Sequence, residues 1–300
     1  MHKNNIIVLL STFNGEKFLN EQLRSLYTQE NVDVSILVRD DGSKDTTCTI
    51  LDKEQGEGKL SWYKGDNKGP ALSFWELLQR APESSYYSFC DQDDVWDKDK
   101  LKTAIDFLSN SKNKPALYFS QTRLVNSNLE EIQSVRISPL LTFEEALIYH
   151  FVTGCTMVIN DALRKELIKY TPDFIRMHDI WIYLVAQAID ADIYFDSTPH
   201  ISYRQHGNNV VGQEHTFIDT WNKRLKRIRK HECIRSSLAK ELLKGYGNTI
   251  SKDKRELTAL IANYKENFIS WMKLLFNKKL KCAPKAINIT SRTAILVKQF

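Results

Sequence analysis

The chain has 300 residues, of which 42% are hydrophobic and 26% charged, enough material for one large domain or two small ones around a buried core. Its five cysteines (Cys48, Cys90, Cys155, Cys233, Cys282) are scattered and never form a CxxC pair. This argues against a disulfide framework or a zinc site and fits a reducing cytoplasm.

The net charge of +5 conceals a split: from Lys223 onward there are 20 Lys/Arg against 5 Asp/Glu, so the preceding part is acidic and the end reads as an interaction region.

The apolar run IIVLL at 6–10 is of buried parallel-strand type and too short for a signal-peptide core or a membrane span. It ends at Ser11-Thr12-Phe13-Asn14-Gly15, after which Phe18, Leu19, Gln22, Leu23 and Leu26 follow at helical spacing. A second strand is predicted over 34–38, stopped by Arg39-Asp40-Asp41-Gly42-Ser43, with a helix over 45–53 and a short third strand over 60–63. Asn67-Lys68-Gly69-Pro70 then opens a helix carrying Leu72, Phe74, Trp75, Leu77 and Leu78, with proline in its first turn. A fourth strand over 86–90 runs into Asp91-Gln92-Asp93-Asp94, followed by a helix from about Asp99. Strands separated by single helices predict right-handed βαβ units and a largely parallel sheet.

The middle is mixed, with strands expected over 116–120, 155–160 and 193–195 and helices over 161–169 and 178–189. Beyond Gly212 the pattern turns helical and basic.

In such sheets ligands bind outside the carboxyl ends of the strands, and three polar clusters fall there. Asp91, Asp93 and Asp94 offer hard oxygen ligands suited to magnesium or manganese, which also bind substrate phosphates. The alternative is an acidic turn capping the next helix. Ser11, Thr12 and Phe13 offer hydroxyls and an aromatic face for a base or ribose, or else a βα turn. A carboxylate of Asp40 or Asp41 can accept a pyrimidine N–H, or serve the Asp-Gly turn.

Asp179 opens an apolar helix, where it is a candidate general base or a first-turn acid favoured by the helix dipole. Arg204 and His206, in the donor-rich stretch 203–209, could neutralise a diphosphate or sit in a solvated loop. Two amphipathic stretches of the basic end, 221–243 and 263–280, suit an anionic membrane surface or a helical hairpin packed on the core. No nucleic-acid motif accompanies the charge.

In their order and spacing, STFNGEKFLNEQLRSL (11–26), VRDDGSKDTT (38–47), FCDQDDVWDKDKL (89–101), TGCTMVIN (153–160), HDIWIYLVA (178–186) and YRQHGNNVVG (203–212) resemble the inverting family 2 glycosyltransferases. More narrowly they resemble bacterial rhamnosyltransferase-like members that build polysaccharide chains. The resemblance implies a GT-A fold: α/β, Rossmann-like, with a mostly parallel central sheet flanked by helices. It covers about 4–212, placing a catalytic domain over 1–215 and a basic helical region over 216–300.

It further implies that Ser11, Thr12, Phe13 and Asp41, with Asp40 beside it, hold a pyrimidine nucleoside and that Asn67 approaches the nucleotide-sugar. Asp93 and Asp94 match the metal-binding pair, Asp94 as direct ligand and Asp93 nearer the ribose, with Asp91 leading the acidic set. Asp179 matches the catalytic base, and Arg204 and His206 fall where relatives close over the diphosphate. The implied cofactor is Mn2+ or Mg2+.

The implied donor is dTDP-L-rhamnose, with UDP-hexoses as the alternative. The implied acceptor is a polysaccharide or lipid-linked sugar at the inner membrane face. One departure is that histidine precedes Asp179 where many members carry an acid. A catalytically silent nucleotide-sugar-binding subunit is the rival reading from another class.

Overall fold

The computed structural model of the chain describes residues 5–132, 136–205 and 233–300. Strands β1 (Asn5–Thr12), β2 (Asp33–Asp40), β3 (Ser61–Lys64), β4 (Tyr86–Cys90), β6 (Ala116–Ser120), β8 (Val158–Asn160) and β9 (Asp192–Asp196) form one sheet in the order β3-β2-β1-β4-β8-β6-β9. A small second sheet, β5 (Val95–Trp96), β10 (Ile201–Arg204) and β7 (Arg123–Val125), lies in the order β5-β10-β7.

Strand β1 shows why the apolar run is unbroken. Ile6, Val8 and Leu10 enter one core, while Ile7 and Leu9 enter the other. A strand covered on both faces has no polar side to show. The first core holds Leu19, Leu23 and Leu26 of α1 (Leu19–Tyr27) with Leu101, Ala104 and Ile105 of α4 (Lys100–Leu108). The second holds Phe74, Leu77 and Leu78 of α3 (Pro70–Arg80) and the wholly buried α7 (His178–Ala188). Helices α2 (Thr47–Gly56), α5 (Phe143–Ile148) and α6 (Asp161–Leu167) complete this part.

Four strands are parallel as expected, but β8 runs antiparallel to both β4 and β6. The strand expected over 155–160 is also shorter. Its first residues form a 3-10 turn, Gly154–Thr156, in which Thr156 N–H donates to Thr153 O at 2.9 Å and Met157 N–H to Gly154 O at 3.0 Å. Those amides close the turn rather than a ladder, so pairing starts at Val158. The turn is thereby delivered beside the carboxyl end of β4.

The helices Ile234–Tyr246 and Lys252–Asn263 join the same core as α7: Leu238, Leu242, Tyr246 and Ile261 are buried in it. Lys254 Nζ donates to the Gln187 and Ala188 carbonyls at 2.7 and 3.1 Å, placing a cation at the negative end of α7. The described part of the basic end is thus packed on the core. The 215/216 boundary and most of the 221–243 stretch lie outside the described residues. Among the described residues, no helix is long and apolar enough to cross a membrane.

Candidate active site

Parallel register aligns the strand ends that carry the polar clusters. Thr12 pairs with Asp40 across β1 and β2, and Leu10 with Cys90 across β1 and β4. Asp40 is buried, and its carboxylate accepts from Thr12 Oγ1 at 3.1 Å, Gly42 N at 3.1 Å, Ser43 N at 2.8 Å and the Ser43 hydroxyl. Asp41 accepts from Arg39 Nη1 at 2.5 Å and from the Lys68 and Gly69 amides at 2.9 and 2.8 Å. Gly69 is the N-cap of α3, so Asp41 binds the two amides that lead into the helix and fixes the stretch containing Asn67. Gly42, at φ 88°, makes the turn between the two loops in a conformation that favours glycine.

A second set of bonds ties the first loop to its neighbours. Ser11 Oγ lies 2.6 Å from Ser73 Oγ, which also accepts from Arg39 Nη1 at 3.1 Å. Asn14 adopts φ 48°, and its Oδ1 accepts the Lys44 amide at 2.9 Å. Phe13, at 44% exposure, presents its ring outward.

The acidic turn gathers as expected. One oxygen each of Asp91 and Asp94 and the Cys155 sulfur lie within 4.8 Å of one another. Asp94 Oδ1 accepts the Arg204 amide at 3.1 Å, while Oδ2 is buried without a hydrogen bond. Burial, then the charges of Asp93 and Asp91, pushes the Asp94 carboxyl well above the usual range. Burial, then Asp93 and Asp179, raises Asp91 to about 7. Such a set resists ionisation unless a cation joins it.

The arrangement fits a divalent cation: hard carboxylate oxygens converge, and one buried oxygen has no donor. A cation of the chain's own lies beneath. Lys100 Nζ is buried 3.5 Å over the Trp96 ring and donates to Ser88 Oγ at 3.4 Å. Burial lowers it to about 8 against the support of Cys155, Cys90 and Asp94.

Asp179, on α7, lies close enough to Asp91 for its charge to help raise that carboxyl. Burial raises its carboxyl to about 6, opposed by hydrogen bonds from the Ile180, Gly154 and Asp179 amides. His178, one residue earlier, lies between Phe74 and Phe89 with ring centroids 4.1 and 5.1 Å away. Burial pushes its imidazole down to about 3, so the ring is neutral. Gly154 lies against that ring: a Cβ there would approach His178 Nε2 to 2.6 Å.

Arg204 is placed differently from what the diphosphate role would need. Its guanidinium faces inward: Nε donates to Asp93 O at 2.7 Å, Nη1 to Ser127 O at 2.6 Å and Nη2 to Glu21 at 2.5 Å, over the Phe18 ring. It lies on strand β10 rather than in a loop, and it buttresses the acidic turn from behind. His206 lies outside the described residues.

The structure therefore brings Ser11, Thr12, Phe13, Asp40, Asp41, Asn67, Asp91, Asp93, Asp94 and Asp179 to one end of the sheet. Sequence reasoning passed over Gln92, Lys100 and Cys155. Gln92 was legible as the one uncharged member of the acidic turn. Lys100 and Cys155 gave no signal, because only their burial beside the carboxylates distinguishes them.

The profile of glycosyl transferase family 2 matches residues 7–168. The dTDP-rhamnosyl transferase RfbG of Shigella flexneri is 33% identical over 238 residues, 73% of this chain and 79% of that protein. Among solved structures, Staphylococcus aureus TarS in complex with UDP-GlcNAc superposes with TM-score 0.58 at 19% identity, covering 97% of this chain and 90% of that one. The mannosyltransferase PcManGT of Pyrobaculum calidifontis, in complex with GDP-Man and Mn2+, gives TM-score 0.52 at 14% identity over 99% and 86%. At such identities these two likenesses establish the fold, a mostly parallel sheet of GT-A type.

Proposed function

The chain belongs to glycosyl transferase family 2, and from that premise we propose that it transfers L-rhamnose from dTDP-rhamnose to a lipid-linked or polysaccharide acceptor, inverting the anomeric centre. The observation that supports the reaction type is Asp179, poised at about 6 and near enough to Asp91 for the two charges to feel each other, beside the acidic turn that also carries Asp93 and Asp94. The choice of rhamnose is supported by the likeness to RfbG. A second reading, a UDP-hexose donor, is favoured by the fold shared with the TarS complex.

In this proposal the exposed Phe13 ring stacks on the pyrimidine. Ser11 and Thr12 line its edge, and Asp40 and Asp41 hold the floor beneath it. Asn67, held by the turn that Asp41 fixes, approaches the sugar, and Asp93 approaches the ribose. Asp94 and Asp91 would hold Mn2+ or Mg2+, which when bound supplies positive charge for the departing nucleoside diphosphate.

Asp179 accepts the proton of the acceptor hydroxyl as that oxygen forms its bond to the anomeric carbon. The bond to the diphosphate oxygen breaks on the opposite face, and the electron pair leaves with it. A carboxylate poised near 6 is ionised at neutral pH yet basic enough to share a proton in the transition state. Arg204 acts as a positioning residue that keeps the Asp93–Asp94 backbone in place.

The test is a donor screen with manganese, comparing dTDP-rhamnose with UDP-galactose, UDP-glucose and UDP-N-acetylglucosamine. Slow hydrolysis and thermal shift are followed together. Stabilisation and metal-dependent hydrolysis by dTDP-rhamnose alone is the expected result. Preference for a UDP-hexose would select the second reading, and binding of a donor without turnover across acceptors would favour a silent binding subunit.

A further inference from the structure

The last two described helices, Phe268–Leu275 and Lys285–Leu296, pack through Leu274 and Ile295, which are buried. Their junction is pinned by polar bonds. Trp271 Nε1 donates to Ile295 O at 2.8 Å, and Arg292 Nη1 donates to Leu274 O and Leu275 O at 3.0 and 2.6 Å. Asn288 secures the connecting loop, accepting from the Cys282 amide at 2.8 Å and donating to its carbonyl at 2.6 Å.

This fixed pair leaves its other face open. Phe276 and Ile289 are 68% and 66% exposed, and Phe268, Ile269, Leu296 and Val297 are more than half exposed as well. Ile269 and Phe276 are seven residues apart on one helix side, as are Ile289 and Leu296. Between the helices runs an apolar groove of about 530 Å³, lined by Phe276, Ile289, Thr293 and Leu296. Large aliphatic and aromatic side chains so grouped mark an interaction surface.

Charge selects the partner. From residue 267 to 300 there are seven Lys/Arg and no Asp/Glu. Asp253 and Glu256, on the neighbouring helix, border Asn277 and Lys279 in an adjoining hollow, and neither lines the groove. A second copy laid on the same face would set like charges against like. A bilayer bearing anionic headgroups answers both features at once, because its acyl boundary receives the apolar side chains while its phosphates meet the lysines.

We propose that this helix pair is a membrane-docking surface that seats the enzyme on an anionic bilayer, with Phe276 and Ile289 inserting and Lys278 and Lys279 among the flanking cations. The assignment does not rest on the donor sugar, so failure of the rhamnose reading leaves it standing.

The experiment is flotation of the full chain with vesicles of phosphatidylcholine, alone or mixed with phosphatidylglycerol. Wild type is expected to float with the anionic vesicles only, and to lose binding between about 0.15 and 1 M salt as the screening length shrinks from about 8 to about 3 Å. Lys278→Glu with Lys279→Glu is expected to weaken binding on the order of tenfold or more. Phe276→Ser with Ile289→Ser, at exposed sites, is expected to weaken it similarly while keeping the wild-type melting temperature and donor hydrolysis.

Equal binding to neutral vesicles, or wild-type binding by both double variants, would overturn the proposal. So would a wild type that ignores lipid but sediments as a dimer dissolved by the apolar pair, which would give the face to a second copy.

Discussion

Gln92 holds Phe13 by both of its backbone polar groups: Oε1 accepts the Phe13 amide at 2.9 Å and Nε2 donates to its carbonyl at 3.1 Å. The side chain in the middle of the acidic turn thus sets the position of the exposed ring on the first loop. Gly15 leaves room for the amide, since a Cβ there would collide with it.

Replacing Gln92 by alanine removes both bonds and releases the ring. Each such bond contributes about 1 kcal/mol, so donor KM is expected to rise on the order of tenfold with kcat little changed. Steady-state kinetics at saturating acceptor would show this. An unchanged KM would mean that Phe13 does not contact the donor.

Asp179→Asn keeps the shape of the side chain and removes its basicity. Transfer is expected to fall on the order of a thousandfold while donor affinity, read by calorimetry, stays within a factor of about two. The wild-type rate should carry an acid limb near pH 6, because the carboxyl raised to about 6 must be ionised to accept a proton. Activity is therefore full above that value and lost below it. A flat profile down to pH 5 would remove Asp179 from the proton transfer.

The raised carboxyls also set how stability varies with pH. Asp91, at about 7 in the folded chain, holds more protons than its unfolded counterpart between its ordinary carboxylate range and pH 7. Stability therefore falls as pH rises through that window. A divalent cation that binds the ionised set offsets the fall. Manganese is expected to raise the melting temperature more at pH 7.5 than at pH 5, and equal shifts at both would place the cation elsewhere.

Lys100→Met leaves the carboxylates without their buried counter-charge. The loss is expected to be about 3 kcal/mol at pH 7.5 in denaturant unfolding without metal, and smaller toward pH 5. The reason is that Asp94, the carboxylate that supports the Lys100 charge, is pushed well above the usual range and takes up its proton as pH falls. If the variant is as stable as wild type at both pH values, Lys100 is a core side chain with no electrostatic part in the site.

The parallel half of the fold was legible because both faces of β1 are buried and the turns after β1, β2 and β4 carry their chemistry in consecutive residues. The reversal at β8 was not, since an apolar segment has the same composition whichever way it runs. The expected strand over 155–160 is lost before Val158 for a local reason: the Thr153 and Gly154 carbonyls take the Thr156 and Met157 amides that a ladder would have used. Arg204 shows the other limit. A charged residue in a donor-rich stretch reads as facing a diphosphate or solvent, and nothing local reveals that Asp93, Ser127 and Glu21 are folded around it.

The contact between Gly154 and His178 bears on what an acid limb would report. A carboxylate held only by hydrogen bonds would drift when protonated, and the rate would then mix chemistry with displacement. Here the residue before the base rests against a backbone with no side chain, its ring wedged between Phe74 and Phe89 and uncharged down to about pH 3. That stop is steric, and it does not titrate. Acidification can take the charge from Asp179 without moving its mount, so at low pH the enzyme should idle with its geometry intact and recover when the proton leaves.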